Sequence, residues 1–255
     1  MIQPRAVEPR ASTVVVIPCF NEEKRLDPRA VEALLEEALV RVILVDDGSR
    51  DGTADLLRRI ESAHPGRVRA LILPRNGGKG EAVRQGMRAA LDDGAWCVGY
   101  TDADFATPPE EFLRLRRELL AQGAAVVLGS RVRRLGSTIE RKPARHYLGR
   151  IFATAASLSL RVGVYDTQCG AKLFRDLPAL RAALEAPFAS RWAFDVELLS
   201  RLLRPREGVP PVRADEMIEV PLRAWRDVAG SKLRGINMLR AGTDLARIAW
   251  RIRTD

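Results

Sequence analysis

Apolar positions along this chain follow two alternating rhythms. Short runs rich in β-branched and other apolar residues occupy positions 13–18, 42–45, 68–73, 95–101 and 124–128. Such runs, bounded by turn residues, predict strands buried on both faces. Between them lie stretches whose apolar residues recur with helical spacing, at about 28–40, 53–63, 79–92 and 109–121. Strands alternating with helices of this length predict right-handed βαβ units. The expected fold is therefore α/β, Rossmann-like, with a mostly parallel central sheet and helices on both faces.

The second half is less regular. A basic helical stretch is expected at 140–162, a helix opening at 191–199, a last strand at 216–222 and a basic amphipathic helix at 232–253. No repeat, low-complexity tract or long linker interrupts the chain. A single domain over 1–255 is expected, with 1–11 disordered.

In open α/β sheets ligands bind beyond the carboxyl ends of the strands. The polar clusters of this sequence fall there one after another. Asn21-Glu22 follow the first strand, Asp46-Asp47-Gly48-Ser49 the second, and Asn76-Gly77-Gly78-Lys79-Gly80 the third. Asp102-Ala103-Asp104 follow the fourth, and Gly129-Ser130-Arg131 the fifth. Asp102 and Asp104 are spaced i and i+2, and in an extended chain they would face one side. Two hard oxygen donors suit Mg²⁺ or Mn²⁺, which leave the rest of the shell to water and phosphates. The same pair could equally cap the helix near Pro108.

Each other cluster also has a plain structural alternative. Asp51 or Thr53 can cap a helix, while Asp46 or Asp47 can accept a base N–H or ribose hydroxyls. The glycines before Lys79 can cradle a phosphate at a helix start or simply make a turn. Asp195 and Glu197 can complement a helix dipole, or Asp195 can face a reacting centre. The arginines from Arg131 to Arg150 can be a solvated face or meet a phosphate-bearing acceptor.

Composition narrows the function classes. Apolar residues make up 46% of 255, enough for a packed core. Net charge is +9, which favours nucleotide phosphates, an anionic membrane surface or nucleic acid as partners. Aromatics are only 5% and no nucleic-acid motif is present, so nucleic acid is not expected. A nucleotidyltransferase would share a similar sheet and acidic rim. Cys19, Cys97 and Cys169 read as buried thiols of a reducing compartment. No signal peptide, anchor or membrane span is expected, so the cytoplasm follows. GxSxG, GxxxxGK[ST] and an early GxGxxG are all missing, so hydrolase and dehydrogenase readings lose support.

Taken together, the segments Val15–Glu22, Val45–Thr53, Asn76–Gly80 and Asp102-Ala103-Asp104 resemble inverting family 2 glycosyltransferases of the GT-A fold. Gly129–Arg131, Asp166–Phe174 and Arg191–Leu199 are similar to the polyprenyl-phosphate sugar transferases, in particular the dolichyl-phosphate β-glucosyltransferase subgroup. Glu219-Val-Pro221 and Gly230–Leu233 extend that similarity nearly to the end.

The resemblance implies transfer of a hexose, glucose above all, from a UDP-sugar to a polyprenyl phosphate. It implies that Asp102 and Asp104 hold Mg²⁺ or Mn²⁺ on the donor diphosphate. Pro18, Phe20, Glu22, Asp46, Asp47 and Ala103 would line the nucleotide side, with Lys79 near the phosphates. Arg131 would meet the acceptor phosphate. Gln168, Arg191 and Trp192 would shape the sugar and acceptor site, and Asp195 would act as base or orient the acceptor. A soluble hydroxyl acceptor is the alternative. The 232–253 stretch, rich in arginine on one side, is expected to bring the enzyme to anionic lipid as a peripheral protein.

Overall fold

The structure, a computed structural model, describes residues 12–140, 153–191 and 193–228. Strands β1 (Thr13–Cys19), β2 (Val40–Asp46), β3 (Val68–Ile72) and β4 (Cys97–Tyr100) form where the sequence predicts them. So do β5 (Val126–Ser130) and β8 (Met217–Pro221). Three further strands are β6 (Thr138–Glu140), β7 (Lys172–Arg175) and β9 (Ala224–Arg226). Helices are α1 (Pro28–Leu34), α2 (Thr53–Ala63), α3 (Lys79–Asp92), α4 (Pro109–Gln122), α5 (153–160), α6 (Pro178–Glu185) and α7 (Phe194–Leu203).

One seven-stranded sheet runs in the order β3-β2-β1-β4-β7-β5-β8. Only β7 is antiparallel to its neighbours, inserted between β4 and β5. The sheet is therefore mostly parallel, as its near-continuous apolar strands require. Alternate residues of β1 enter opposite layers. Val14 and Val16 pack with α3, α5, α6 and α7, and Val15 and Ile17 with α1, α2 and α4. Helices thus cover both faces. Strands β6 and β9 pair in parallel as a separate two-stranded sheet.

Three expectations need correction or placement. Helix α1 ends at Leu34 rather than near 40, because Arg67 takes the carbonyls of Leu35, Glu37 and Val40 at 2.8–3.0 Å and holds them in a turn. Strand β7 was not expected: a lysine interrupts its short apolar run, yet Lys172 is fully buried. Of the helical stretch expected at 140–162, residues 153–160 are helical and Thr138–Glu140 forms a strand. Residues 141–152, Trp192 and the 232–253 stretch lie outside the described residues. Among the described residues no helix is long and apolar enough to cross a membrane.

Candidate active site

The parallel strands end on one rim, and the turns beyond β1, β2, β3 and β4 meet there. The β1 turn holds Asn21, whose φ is 51°, and Asn21 and Ser49 bind each other's loops. Ser49 Oγ accepts from Asn21 N at 2.9 Å, and Asn21 Oδ1 accepts from Arg50 N at 2.8 Å. Glu22 N donates to Thr53 Oγ1 at 2.8 Å. Pro18 and Phe20 flank this turn and are half-buried.

Asp46 and Asp47, both 2% exposed, take different tasks. Asp46 Oδ1 accepts from Ser49 N at 3.1 Å and from the Ser49 hydroxyl, closing its own turn. Asp47 accepts from Gly77 N at 2.7 Å and Gly78 N at 2.9 Å, one on each carboxylate oxygen. Burial raises the Asp47 pKa in spite of those two donors. The amides offered in sequence as a phosphate cradle are therefore satisfied by Asp47. Gly78, at φ 93°, is what lets the chain present both N–H groups to one carboxylate before α3 begins.

Asp102 and Asp104 do not lie in an extended chain. Asp102 O accepts from Phe105 N at 3.0 Å, so the DxD segment is a turn, completed by Phe105 at φ 46°. The turn still brings both carboxylates to the rim. Asp102 Oδ1 pairs with Lys79 Nζ at 2.5 Å, and Asp104 Oδ2 with Arg25 Nη2 at 3.0 Å. Burial opposes the Asp102 charge, but Lys79 overrides it and lowers the pKa. For Asp104, burial and then the nearby Asp102 charge raise the pKa. Ala103 is buried between them. The two acids remain partly open, with side chains 37% and 21% exposed. Their donor chemistry fits a hard divalent cation that draws its other ligands from water and a diphosphate.

Asp195, in the first turn of α7, is 5% exposed. Its Oδ1 accepts from the Tyr100 hydroxyl and pairs with Lys172 Nζ at 2.7 Å. Lys172 Nζ also donates to Cys169 O at 2.5 Å. Burial, then the Asp195 charge, push the Tyr100 pKa well above its ordinary value, so the phenol stays a donor. Asp195 also reaches Lys79 electrostatically. Burial works against the Lys79 charge, but Asp102 and Asp195 outweigh it and raise the ammonium's pKa. A file of alternating charge results: Lys172, Asp195, Lys79, Asp102.

Arg131 is bound bidentately to Asp166, Nε to Oδ2 at 2.7 Å and Nη2 to Oδ1 at 2.8 Å, and its guanidinium lies 5.4 Å from the Trp225 ring centroid. Asp166 and the other charges around Arg131 raise its pKa against the cost of burial. Gln168 N donates to Asp166 Oδ1 at 3.2 Å, while its buried Nε2 has no hydrogen-bond partner. Arg191 is exposed and lies over Gly78, with Nη2 3.5 Å from Asn76 O.

Sequence reasoning thus brought Asp47, Lys79, Asp102, Asp104 and Asp195 to one place. It missed Arg25, Tyr100, Lys172, Asp166 and Gly170. Gly170 abuts Asp102 so closely that a Cβ there would stand 2.6 Å from Asp102 Cγ. Both missed cations neutralise an acid already singled out, Arg25 at Asp104 and Lys172 at Asp195.

Comparison with known proteins finds consistent relatives. The sequence model described as Glycosyl transferase family 2 matches residues 14–179. A dolichyl-phosphate beta-glucosyltransferase of Trichomonas vaginalis is 34% identical over 251 residues, 93% of this chain and 70% of that protein. A polyprenol monophosphomannose synthase of Mycolicibacterium smegmatis is 30% identical over 253 residues, 98% of this chain and 91% of that protein. Glucosyl-3-phosphoglycerate synthase from Mycobacterium tuberculosis, solved with Mn²⁺ and UDP-glucose, shares the fold. Its TM-score is 0.66 at 21% identity, over 94% of this chain and 79% of that one.

Proposed function

The chain belongs to glycosyl transferase family 2, and from that membership we propose that it transfers glucose from UDP-glucose to a polyprenyl phosphate, inverting the anomeric centre. One observation carries the reading: Asp102, Asp104, Lys79 and Asp195 converge on the carboxyl rim, with Asp47 at its nucleotide end. The names of the relatives support a polyprenyl-phosphate acceptor.

In this reading Asp102 and Asp104 hold Mg²⁺ or Mn²⁺, which when bound neutralises the departing diphosphate. Lys79, next to Asp102, adds positive charge on the leaving-group side. The Asn21, Glu22, Asp46 and Asp47 turns, with Pro18, Phe20 and Ala103, form the nucleoside wall. Arg131 steadies the acceptor phosphate, and Gln168 and Arg191 border the sugar. A phosphate oxygen is already anionic at neutral pH, so no strong base is needed. Asp195 fits that economy: it is tied to Lys172 and Tyr100 and acts electrostatically on Lys79, so its part is to order the cations of the site. The protein is peripheral in this reading, its arginine-rich 232–253 stretch meeting anionic lipid.

Asp104→Ala tests the metal half. It removes a partly exposed rim carboxylate, so the fold should persist while transfer falls by about 10²-fold or more. Mn²⁺-dependent UDP binding, measured by calorimetry, should disappear as well. Full transfer in EDTA would refute the metal assignment.

A further inference from the structure

Glu219 lies on the edge strand β8, opposite Leu128 of β5. Its carboxylate reaches out of the sheet and receives two consecutive backbone amides: Tyr165 N donates to Oε2 and Asp166 N to Oε1, each at 2.7 Å. A carboxylate bridging two adjacent N–H groups fixes the position of that peptide. Asp166 then gathers four donors: Arg131 N, Nε and Nη2 at 2.7–3.0 Å, and Gln168 N at 3.2 Å. The Arg131 guanidinium is held between the Asp166 fork and the Trp225 ring, which belongs to β9.

Arg131 sits just past the end of β5, where the chain leaves the sheet and has no ladder to orient it. Its plane is set by Asp166, and Asp166 is set by Glu219. A planar guanidinium recognises phosphate only when its fork is correctly aimed. Asp166 engages Nε and one Nη2 N–H, and the Arg131 side chain keeps 13% of its surface exposed, so a phosphate would meet the opposite edge of the guanidinium. The mechanism proposed above gives neither acid a task.

We propose that Glu219 is a positioning residue for the acceptor phosphate, acting through the Tyr165–Asp166 peptide and the Asp166 carboxylate to aim Arg131. This rests on the reading that Arg131 meets that phosphate.

The test separates acceptor from donor. Glu219→Ala, Glu219→Gln, Arg131→Ala and the double variant Glu219→Ala/Arg131→Ala are compared with the parent. Two readouts are used: calorimetric UDP binding with Mn²⁺, and transfer kinetics with undecaprenyl phosphate. Loss of a pair of charge-assisted bonds should raise the acceptor KM of Glu219→Ala about tenfold, with a smaller change in kcat. UDP affinity should stay within about twofold. Glu219→Gln keeps one acceptor oxygen and should fall between. The double variant should be no worse than Arg131→Ala alone, since both act through one group.

An unchanged acceptor KM in Glu219→Ala alongside a raised one in Arg131→Ala overturns this inference and leaves the functional reading standing. So does a strictly additive double variant, or UDP binding lost in step with the acceptor. An unchanged acceptor KM in Arg131→Ala overturns the Arg131 role and this inference with it.

Discussion

Replacing Lys172 by Met should destabilise the protein far more than a surface lysine would. Lys172 is 0% exposed and sits in β7 between Tyr100 of β4 and Leu128 of β5. Its ammonium pairs with Asp195 at 2.7 Å and bonds Cys169 O. Met fills nearly the same volume, so the loss is electrostatic rather than a cavity. It leaves the Asp195 carboxylate buried with Tyr100 as its remaining side-chain hydrogen-bond partner among the described residues. Breaking a buried pair by removing one member costs about 3–5 kcal/mol. For a chain of this size that corresponds to a fall in Tm of roughly 6–20 °C. Thermal unfolding followed by circular dichroism reads it. The double variant Lys172→Met/Asp195→Leu removes both charges and should melt above the single variant, since an apolar pair replaces an orphaned charge. A Lys172→Met protein melting within about 2 °C of the parent would refute the reasoning. Activity of any Asp195 variant must therefore be measured below its own melting transition.

Two other outcomes follow from the same structure. Gly170→Ala puts a Cβ into the Asp102 carboxylate at a residue whose backbone is not left-handed, so the carboxylate has to move. Mn²⁺ affinity by calorimetry should drop about 10–100-fold, and an unchanged affinity would contradict the close approach. Stability should fall as pH rises above the ordinary thiol value of 9.0, because burial pushes Cys169 up to about 11 and Cys97 up to about 12. The folded state keeps protons that the unfolded state releases there, so the contribution is complete below the unfolded pKa and lost through the folded values. A urea midpoint at pH 10 equal to that at pH 8 would contradict it.

The architecture was legible because the strands of the first half are short and mostly apolar, interrupted only by Arg41 in β2 and Arg69 in the edge strand β3, and each βα turn carries its own polar cluster. Asp46, Asp47, Asp102 and Asp104 followed from that periodicity, whereas Asp195 was reached only through the family resemblance. The detailed environment of these acids followed from neither. Asp104 meets Arg25 across 79 residues, and Asp195 meets Tyr100 across 95. Neither pairing leaves a local pattern. Strand β7 stayed hidden because a buried lysine in a four-residue run looks polar until Asp195 is beside it. The DxD segment misled in geometry: its spacing suits a strand, but the chain turns at Phe105. The glycines before Lys79 misled in function, since their amides face Asp47 rather than an open anion site.

Product mass reads hexose transfer to lipid phosphate without an intermediary. The purified protein is incubated with UDP-glucose, Mn²⁺ and undecaprenyl phosphate, with GDP-mannose and a no-lipid sample alongside. The expected outcome is a lipid product heavier by one hexose, formed from UDP-glucose and absent in EDTA. Hexosyl lipid formed only from GDP-mannose, or UDP-glucose consumed equally without lipid phosphate, would contradict it.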